Sequence, residues 1–194
     1  IRLMGGEEVE MPTFNFPKGE KEWTGKKLKI SDDQILIVEG IHGLNELLTQ
    51  YIPKAQKFKI YINALTHLSL DDHNRIPTSD LRLIRRMVRD FQFRGTDALS
   101  TIKRWDSVLR GEDKYIYPYQ EEADVMFNSS LVYELSILKG IAQPELEKVP
   151  HNVPEYVEAK RLIKFLNYFV ASNTEQIPLN SILREFIGSS CFYI

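Results

Sequence analysis

Cysteine is almost absent from this sequence, since Cys191 is the single one among 194 residues. One thiol can form neither a disulfide within the chain nor a cysteine-ligated metal site, and we expect a reducing, cytoplasmic compartment. Long apolar runs and a signal peptide are also lacking, which argues against a membrane protein. Neither sign of charge dominates, because 25 Lys and Arg meet 27 Asp and Glu. A broad nucleic-acid-binding surface is therefore not expected, and any basic site must be local.

The composition is that of an ordinary globular protein, with 43% hydrophobic and 27% charged residues. The length suffices for one sizeable domain, or for a domain with an appendage. The opening residues, Ile1-Arg2-Leu3-Met4-Gly5-Gly6, are typical of the last turn of a helix with a glycine cap. We therefore expect the sequence to be a segment of a longer protein.

An apolar run, Ile35-Leu36-Ile37-Val38, ends abruptly in Glu39 and Gly40. A continuous run of this length predicts a strand over residues 34–38, buried on both faces of a parallel sheet. Open α/β sheets bind their ligands beyond the carboxyl ends of the strands. Glu39 is thus a candidate for holding Mg²⁺, and the alternative is a carboxylate that caps the following turn.

An arginine-rich stretch follows further along the chain. Its pattern predicts a helix from an N-cap at Ser79 to Phe93, with an apolar stripe on one face and Arg82, Arg86 and Arg89 on another. Like charges at this spacing repel each other unless anions lie between them. Clustered arginines together with a carboxylate at a strand end indicate phosphoryl transfer. The alternative is an ordinary solvated face. Arg82 and Arg85 themselves are expected to be ordinary salt-bridge partners.

The remaining pattern predicts a mixed α/β chain. A second helix over residues 97–109 would form a helical hairpin with the first, a lid at about residues 79–112, which we expect to be more mobile than the strands. The other predicted elements are strands at 57–63, 123–128 and 147–149 and helices at 45–51, 131–139, 156–169 and 182–187.

In their order and spacing these motifs resemble the uridine kinase and phosphoribulokinase family of P-loop kinases, in a bacterial uridine-kinase-like subgroup. The resemblance spans about residues 7–130 and rests on Ile37-Val38-Glu39-Gly40-Ile41, the strand at 57–62, Arg85-Arg86-Met87-Val88-Arg89-Asp90 with Arg94-Gly95, and Pro118 ahead of Ala123-Asp124-Val125. It implies part of a P-loop NTPase-type parallel sheet with flanking helices and the lid over residues 1–149. Residues 150–194 would be a helical C-terminal extension.

The resemblance also implies an activity. The parent protein would be an ATP-dependent kinase, a transferase that moves the γ-phosphoryl group of ATP to a hydroxyl of a uridine-like nucleoside. Glu39 resembles the family's Mg²⁺-associated carboxylate. Arg89 and Arg94 resemble lid arginines that contact the phosphates of ATP, and Arg94 is also expected to act in catalysis.

For the acceptor, the resemblance implies a site built from Phe14, Phe16 and Arg86. The two aromatic residues match a pair that flanks the acceptor base, and Arg86 matches a catalytic residue near the phosphate acceptor. Four departures leave the acceptor's identity open, since an aspartate, a histidine, an arginine and a glutamine usual in the family are replaced by Asn15, Gly19, Thr96 and Arg104.

The largest departure is the missing phosphate-binding loop, because the pattern G-x-x-x-x-G-K-[ST] does not occur in the sequence. We expect an upstream segment of the same protein to supply this loop and the catalytic aspartate, and we expect this chain alone to be inactive. Two alternatives remain: a phosphoribulokinase-like sugar-phosphate kinase, or a non-catalytic module that binds a nucleotide or RNA. A small-molecule acceptor is the expected partner, and a homo-oligomer is open.

Overall fold

The computed structural model describes residues 2–15 and 20–192. Residues 16–19, among them Phe16, lie outside the described residues, as do residue 1 and residues 193–194. The chain divides into two compact units, with the boundary between Lys59 and Ile60.

An antiparallel pair of strands opens the first unit. Strand β1 (Val9–Asn15) pairs with β2 (Glu20–Leu28), and the register is irregular between Glu10 and Pro12. Proline has no N–H group to donate, so a regular ladder cannot run through this point. A single helical turn before the strands ends at Gly6, whose φ of 75° is the left-handed cap that the sequence predicts.

The predicted strand at residues 34–38 is not formed, and this expectation was wrong. The segment has no regular secondary structure, and Ile35 and Ile37 are 90% and 86% exposed. A parallel strand needs backbone hydrogen bonds from a neighbouring strand and apolar cover on its faces. Among the described residues no strand pairs with this segment, so its apolar side chains remain open to solvent.

A short helix, α1 (Glu46–Thr49), follows in the first unit, and the Asn45 side chain caps it by accepting from the backbone N–H of Leu47. Glu46 forms ion pairs with two lysines: Lys57 Nζ lies 2.6 Å from Glu46 Oε2, and Lys59 contacts Oε1. Hydrogen bonds from Lys57 and Lys59 lower the pKa of Glu46 to about 2.

The second unit contains a parallel pair of strands, β3 (Ile60–Asn63) and β4 (Val125–Asn128). Both predicted strands are therefore confirmed, with shorter bounds. Tyr61 is buried and lies on one face of the pair, whereas Ile60 and Ile62 are exposed on the other. The fold is a mixed α/β arrangement with a small parallel sheet and helices.

Two helices form the predicted hairpin, α2 (Thr78–Arg94) and α3 (Ala98–Tyr115). Leu81, Ile84 and Val88 on the apolar stripe of α2 are each 1% exposed or less, and α2 lies at the centre of the core. The helix begins at Thr78 with Pro77 at the N-cap, so the N-cap predicted at Ser79 is two residues late.

Three further helices complete this unit: α4 (Glu134–Glu147), α5 (Tyr156–Leu166) and α6 (Arg184–Ile187). They pack into the same hydrophobic core as α2, so the described residues from 150 to 192 belong to the second compact unit. Residues 147–149, predicted as a strand, instead form the end of α4 and the turn after it.

A double hydrogen bond ties the C-terminal helices to α2. Arg161 on α5 donates from Nη1 and Nη2 to the two oxygens of Asp80 in the first turn of α2, at 2.7 and 2.8 Å. The carboxylate of Asp80 is almost fully buried, so this pair fixes the start of α2.

Within the described ranges, no helix has both the length and the apolarity that a membrane crossing requires.

Candidate functional site

A pocket of about 240 Å³ lies in the second unit at the carboxyl ends of its two strands. This is the position at which open α/β sheets bind ligands. Four arginines of α2 line it together with residues from the strand ends, α3 and α6: Tyr61, Ile62, Asn63, Ala64, Arg82, Arg85, Arg86, Arg89, Trp105, Val108, Ile116, Tyr117, Ser129 and Phe186. Helical spacing places the arginines together, since residues three, four and seven positions apart share one face.

Arg85 anchors the pocket and is itself buried, with 6% exposed. Its Nε donates to Glu134 Oε2 at 2.6 Å, and Nη2 donates to the carbonyl oxygen of Ser129 at 2.6 Å. The ring of Phe186 lies 5.0 Å from the guanidinium carbon. Burial raises the pKa of Glu134, and Arg85 opposes that shift. Arg85 is therefore a structural ion-pair partner, as the sequence predicts.

Arg82 also forms an ion pair. Its partner is Glu112, a residue of α3 whose side chain is almost fully buried. The hydroxyl of Tyr117 donates to the same carboxylate, with 3.1 Å between Tyr117 Oη and Glu112 Oε2. Burial, and next the charge of Glu112, raise the pKa of Tyr117. The salt-bridge role expected for Arg82 is confirmed.

The remaining arginines of α2 surround one buried carboxylate, Asp90, which is 4% exposed. Arg94 Nη1 donates to Asp90 Oδ1 at 3.0 Å, whereas the Nε atoms of Arg86 and Arg89 lie 3.3 and 3.8 Å from the carboxylate oxygens. The sequence-predicted residues Arg86, Arg89 and Arg94 are thus brought together. The left-handed Gly95, with φ of 59°, ends α2 directly after them.

This cluster holds more positive than negative charge. Three guanidinium groups share Asp90, and a second carboxylate, Glu185 of α6, lies 3.4 Å from Arg89 Nη1 through Oε1. The Nε–H groups of Arg86 and Arg89 are buried and have no hydrogen-bond acceptor among the described residues. Buried donors without an acceptor are costly, so the geometry favours an anionic ligand that accepts from them.

The other predicted site residues belong to the first unit. Phe14 lies in β1, paired with Lys21 in β2, and Phe16 lies outside the described residues. Glu39 is exposed, and its carboxylate has no hydrogen-bond or ion-pair partner within the described chain. An exposed single carboxylate fits Mg²⁺, which keeps several waters and takes one or two protein carboxylates. No group of three or more His, Cys, Asp or Glu side chains forms a metal cluster in residues 2–15 and 20–192.

Several residues that line the pocket, or that form ion pairs with its arginines, were not predicted from the sequence. Trp105 and Val108 carry a signal, because their spacing on α3 predicts one inward face, but that spacing does not separate a core from a pocket. Glu112, Glu185 and Phe186 carry no local signal. They reach α2 through contacts between residues far apart in the sequence.

A parallel strand pair with an arginine-lined pocket at its carboxyl end is typical of α/β proteins that bind phosphate groups. The model of the Phosphoribulokinase / Uridine kinase family matches residues 1–136, and the chain belongs to this family. The resemblance inferred from the sequence motifs is confirmed.

Named relatives agree with this family. The chain is 30% identical over 126 residues to the uridine kinase of Staphylococcus aureus (strain JH9), covering 64% of this chain and 52% of that protein. It is 27% identical over 125 residues to the uridine kinase of Macrococcus caseolyticus (strain JCSC5402), with the same shares covered. The chain thus spans about half the length of the curated relatives it matches. No solved structure matches it.

Proposed function

We propose that this chain is the acceptor and lid part of a cytoplasmic, ATP-dependent nucleoside kinase. The observation that carries the proposal is the pocket at the strand ends, to which α2 brings Arg86 and Arg89, whose buried Nε–H groups are ion-paired with Asp90 but have no hydrogen-bond acceptor among the described residues. Phosphoryl transfer is catalysed chiefly by positioning and by charge stabilisation of phosphate oxygens. Arginine suits this role because its planar group stays charged and donates several hydrogen bonds.

In this proposal Arg86, Arg89 and Arg94 of α2 have different roles. Arg86, the first of the three along the chain, faces the acceptor and stabilises the transferred group. Arg89 and Arg94 bind the phosphates of ATP, and Arg94 also contributes to catalysis from the C-terminal end of the helix, beside Gly95. Asp90 holds all three guanidinium groups at one place, which lowers the entropy lost when a phosphate binds.

The residues of the first unit have roles that rest on family resemblance. Phe14 and Phe16 flank the acceptor base, and Glu39 holds Mg²⁺, directly or through water. Bound Mg²⁺ supplies charge neutralisation on the phosphate oxygens of ATP. The exposed carboxylate of Glu39 is suited to this because no protein group competes for it within the described chain.

We further propose that a second segment of the same protein supplies the phosphate-binding loop and a catalytic base. Two observations support this partner: the chain spans about half the length of its relatives, and the parallel strand pair has an uncovered apolar face. On that face Ile62 and Phe127 are 62% and 54% exposed. Apolar surface of this kind is normally covered by another part of a protein.

The test is a kinase assay on the full-length protein with ATP and a panel of nucleosides and pentose phosphates. A nucleoside should be the best acceptor, and Arg86→Gln should lower kcat/KM by at least about 100-fold. Arg110→Gln, an exposed arginine of α3 outside the pocket, is the matched control and should be near wild type. If only pentose phosphates are turned over, the acceptor is a sugar phosphate and the proposed nucleoside acceptor is wrong. If Arg86→Gln loses no activity, the arginine pocket is not the active site.

A further inference from the structure

The C-terminal segment of the chain contributes directly to the arginine pocket. Helix α6 lies beyond residue 136, where the family match ends. Phe186 of this helix lines the pocket and lies against the Arg85 guanidinium group. Its neighbour Glu185 makes the ion pair with Arg89. The pocket therefore contains one residue, Phe186, that the family match does not cover, and Glu185 pairs with an arginine that lines it.

Burial and hydrogen bonds fix the position of α6, and they therefore also fix its contact with the pocket. Leu183 and Phe186 are buried in the core of the second unit. Arg184 is also buried and donates to backbone carbonyl oxygens of the same segment, at 3.0 Å from Thr174 and 3.4 Å from Gly188, with a further bond to Ile177. These contacts hold the loop before α6 and its end around one guanidinium group.

The Glu185 contact, in contrast, is loose. The distance of 3.4 Å between Glu185 Oε1 and Arg89 Nη1 is long for a charge-assisted hydrogen bond. Both side chains are partly exposed, at 40% for Glu185 and 28% for Arg89. Arg89 Nε remains without an acceptor although two carboxylates lie nearby. Glu185 thus offsets the charge of Arg89 without satisfying its donors.

We propose that Glu185 is an internal counter-anion of the pocket, which an incoming phosphate group displaces from Arg89. The proposal rests on the anion-binding function proposed above. A phosphate monoester carries up to two negative charges and three acceptor oxygens. It can satisfy the Nε–H groups of Arg86 and Arg89, which Glu185 does not reach. The backbone of α6 stays docked through Leu183, Arg184 and Phe186 while the Glu185 side chain turns outward.

The experiment is a calorimetric titration of the 194-residue chain with inorganic phosphate at low ionic strength. Glu185→Gln removes one negative charge but keeps the side-chain shape, so phosphate should bind roughly 3-fold to 10-fold more tightly than to wild type. Glu175→Gln is the matched control, because Glu175 is exposed and lies in the same segment, but among the described residues it makes no ion pair with an arginine of the pocket, as Glu185 does. It should leave phosphate affinity unchanged.

Each outcome decides the proposal. Equal affinity in wild type and Glu185→Gln, with binding lost in Arg89→Gln, would overturn the counter-anion role and leave the anion site intact. Weaker binding in Glu185→Gln would show that Glu185 orients Arg89, which also overturns it. Absence of phosphate binding in both proteins would refute the proposed anion site and the inference with it. Near-ultraviolet circular dichroism checks that the Glu185→Gln chain is folded.

Discussion

Replacing Arg85 by methionine tests how the pocket is built. The substitution removes the ion-pair partner of Glu134, whose carboxylate is buried because the residue is only 1% exposed. The one hydrogen-bond donor left to that carboxylate among the described residues is the backbone N–H of Leu131, at 2.8 Å from Oε1. Breaking a buried ion pair from one side costs about 3–5 kcal/mol, because an uncompensated charge stays buried. A domain of this size has a total stability of about 5–15 kcal/mol, so the loss is large but measurable.

The assay is urea unfolding followed by the fluorescence of Trp105, which is mostly buried, in a Trp23→Phe background that removes the exposed tryptophan of the first unit. Arg85→Met should lower the free energy of unfolding by about 3–5 kcal/mol at neutral pH. The double variant Arg85→Met/Glu134→Leu should regain much of this loss, because no charge remains buried.

The pH dependence of this effect has a defined sign. Burial raises the pKa of Glu134, and without Arg85 only the hydrogen bond from the backbone N–H of Leu131 opposes the shift. A carboxyl group with a raised folded-state pKa destabilises the fold increasingly as pH rises above its unfolded pKa. The loss in Arg85→Met should therefore be smaller at about pH 5 than at about pH 8. A loss below about 1 kcal/mol, or a double variant no more stable than the single one, would refute this reasoning.

Three further predictions concern other parts of the chain. Arg161→Met leaves the buried carboxylate of Asp80 without its two guanidinium donors and should lower the free energy of unfolding by roughly 1–3 kcal/mol; an unchanged urea midpoint would count against the tie between α5 and α2. Glu46 should titrate in a carbon-13 NMR experiment with a midpoint of about 2 rather than 4.5, so the stability from its lysine pairs is present above about pH 4.5 and lost as pH falls towards 2; an ordinary midpoint would contradict it. Amides in the buried middle of α2 should exchange hydrogen more slowly than residues 34–38, which have no ladder; equal rates would be the contrary result.

The hydrogen-exchange prediction reverses the expectation of a mobile lid drawn from the sequence. The sequence predicts an apolar face and an arginine face on α2, and the structure has both. Periodicity does not show, however, how much of a helix is covered by other helices. Leu81, Ile84 and Val88 lie at the centre of the core. Any opening motion is therefore expected at the end of α2 near Arg94 rather than along the whole hairpin.

Local patterns predicted the parts of the site that depend on local spacing. The arginine face of α2 follows from a period of 3.6 residues, and strands β3 and β4 follow from a period of 2 residues. The strand expected at residues 34–38 failed for the opposite reason, because strand formation depends on a neighbour that local sequence does not specify. Glu112 and Glu185 lie on helices other than α2, and sequence alone does not show which arginine each one meets.

The central claim is that Arg86 and Arg89 form an anion site, and the nitrogen-15 NMR signals of their Nε–H groups test it most directly. Both groups are buried without an acceptor, so inorganic phosphate should shift these two signals in a saturable manner, while the signal of the exposed Arg110 stays in place. Loss of the Arg89 response in Arg86→Gln would show that both arginines bind one anion. Phosphate that moves neither signal, or that moves all arginine signals alike, would contradict the account.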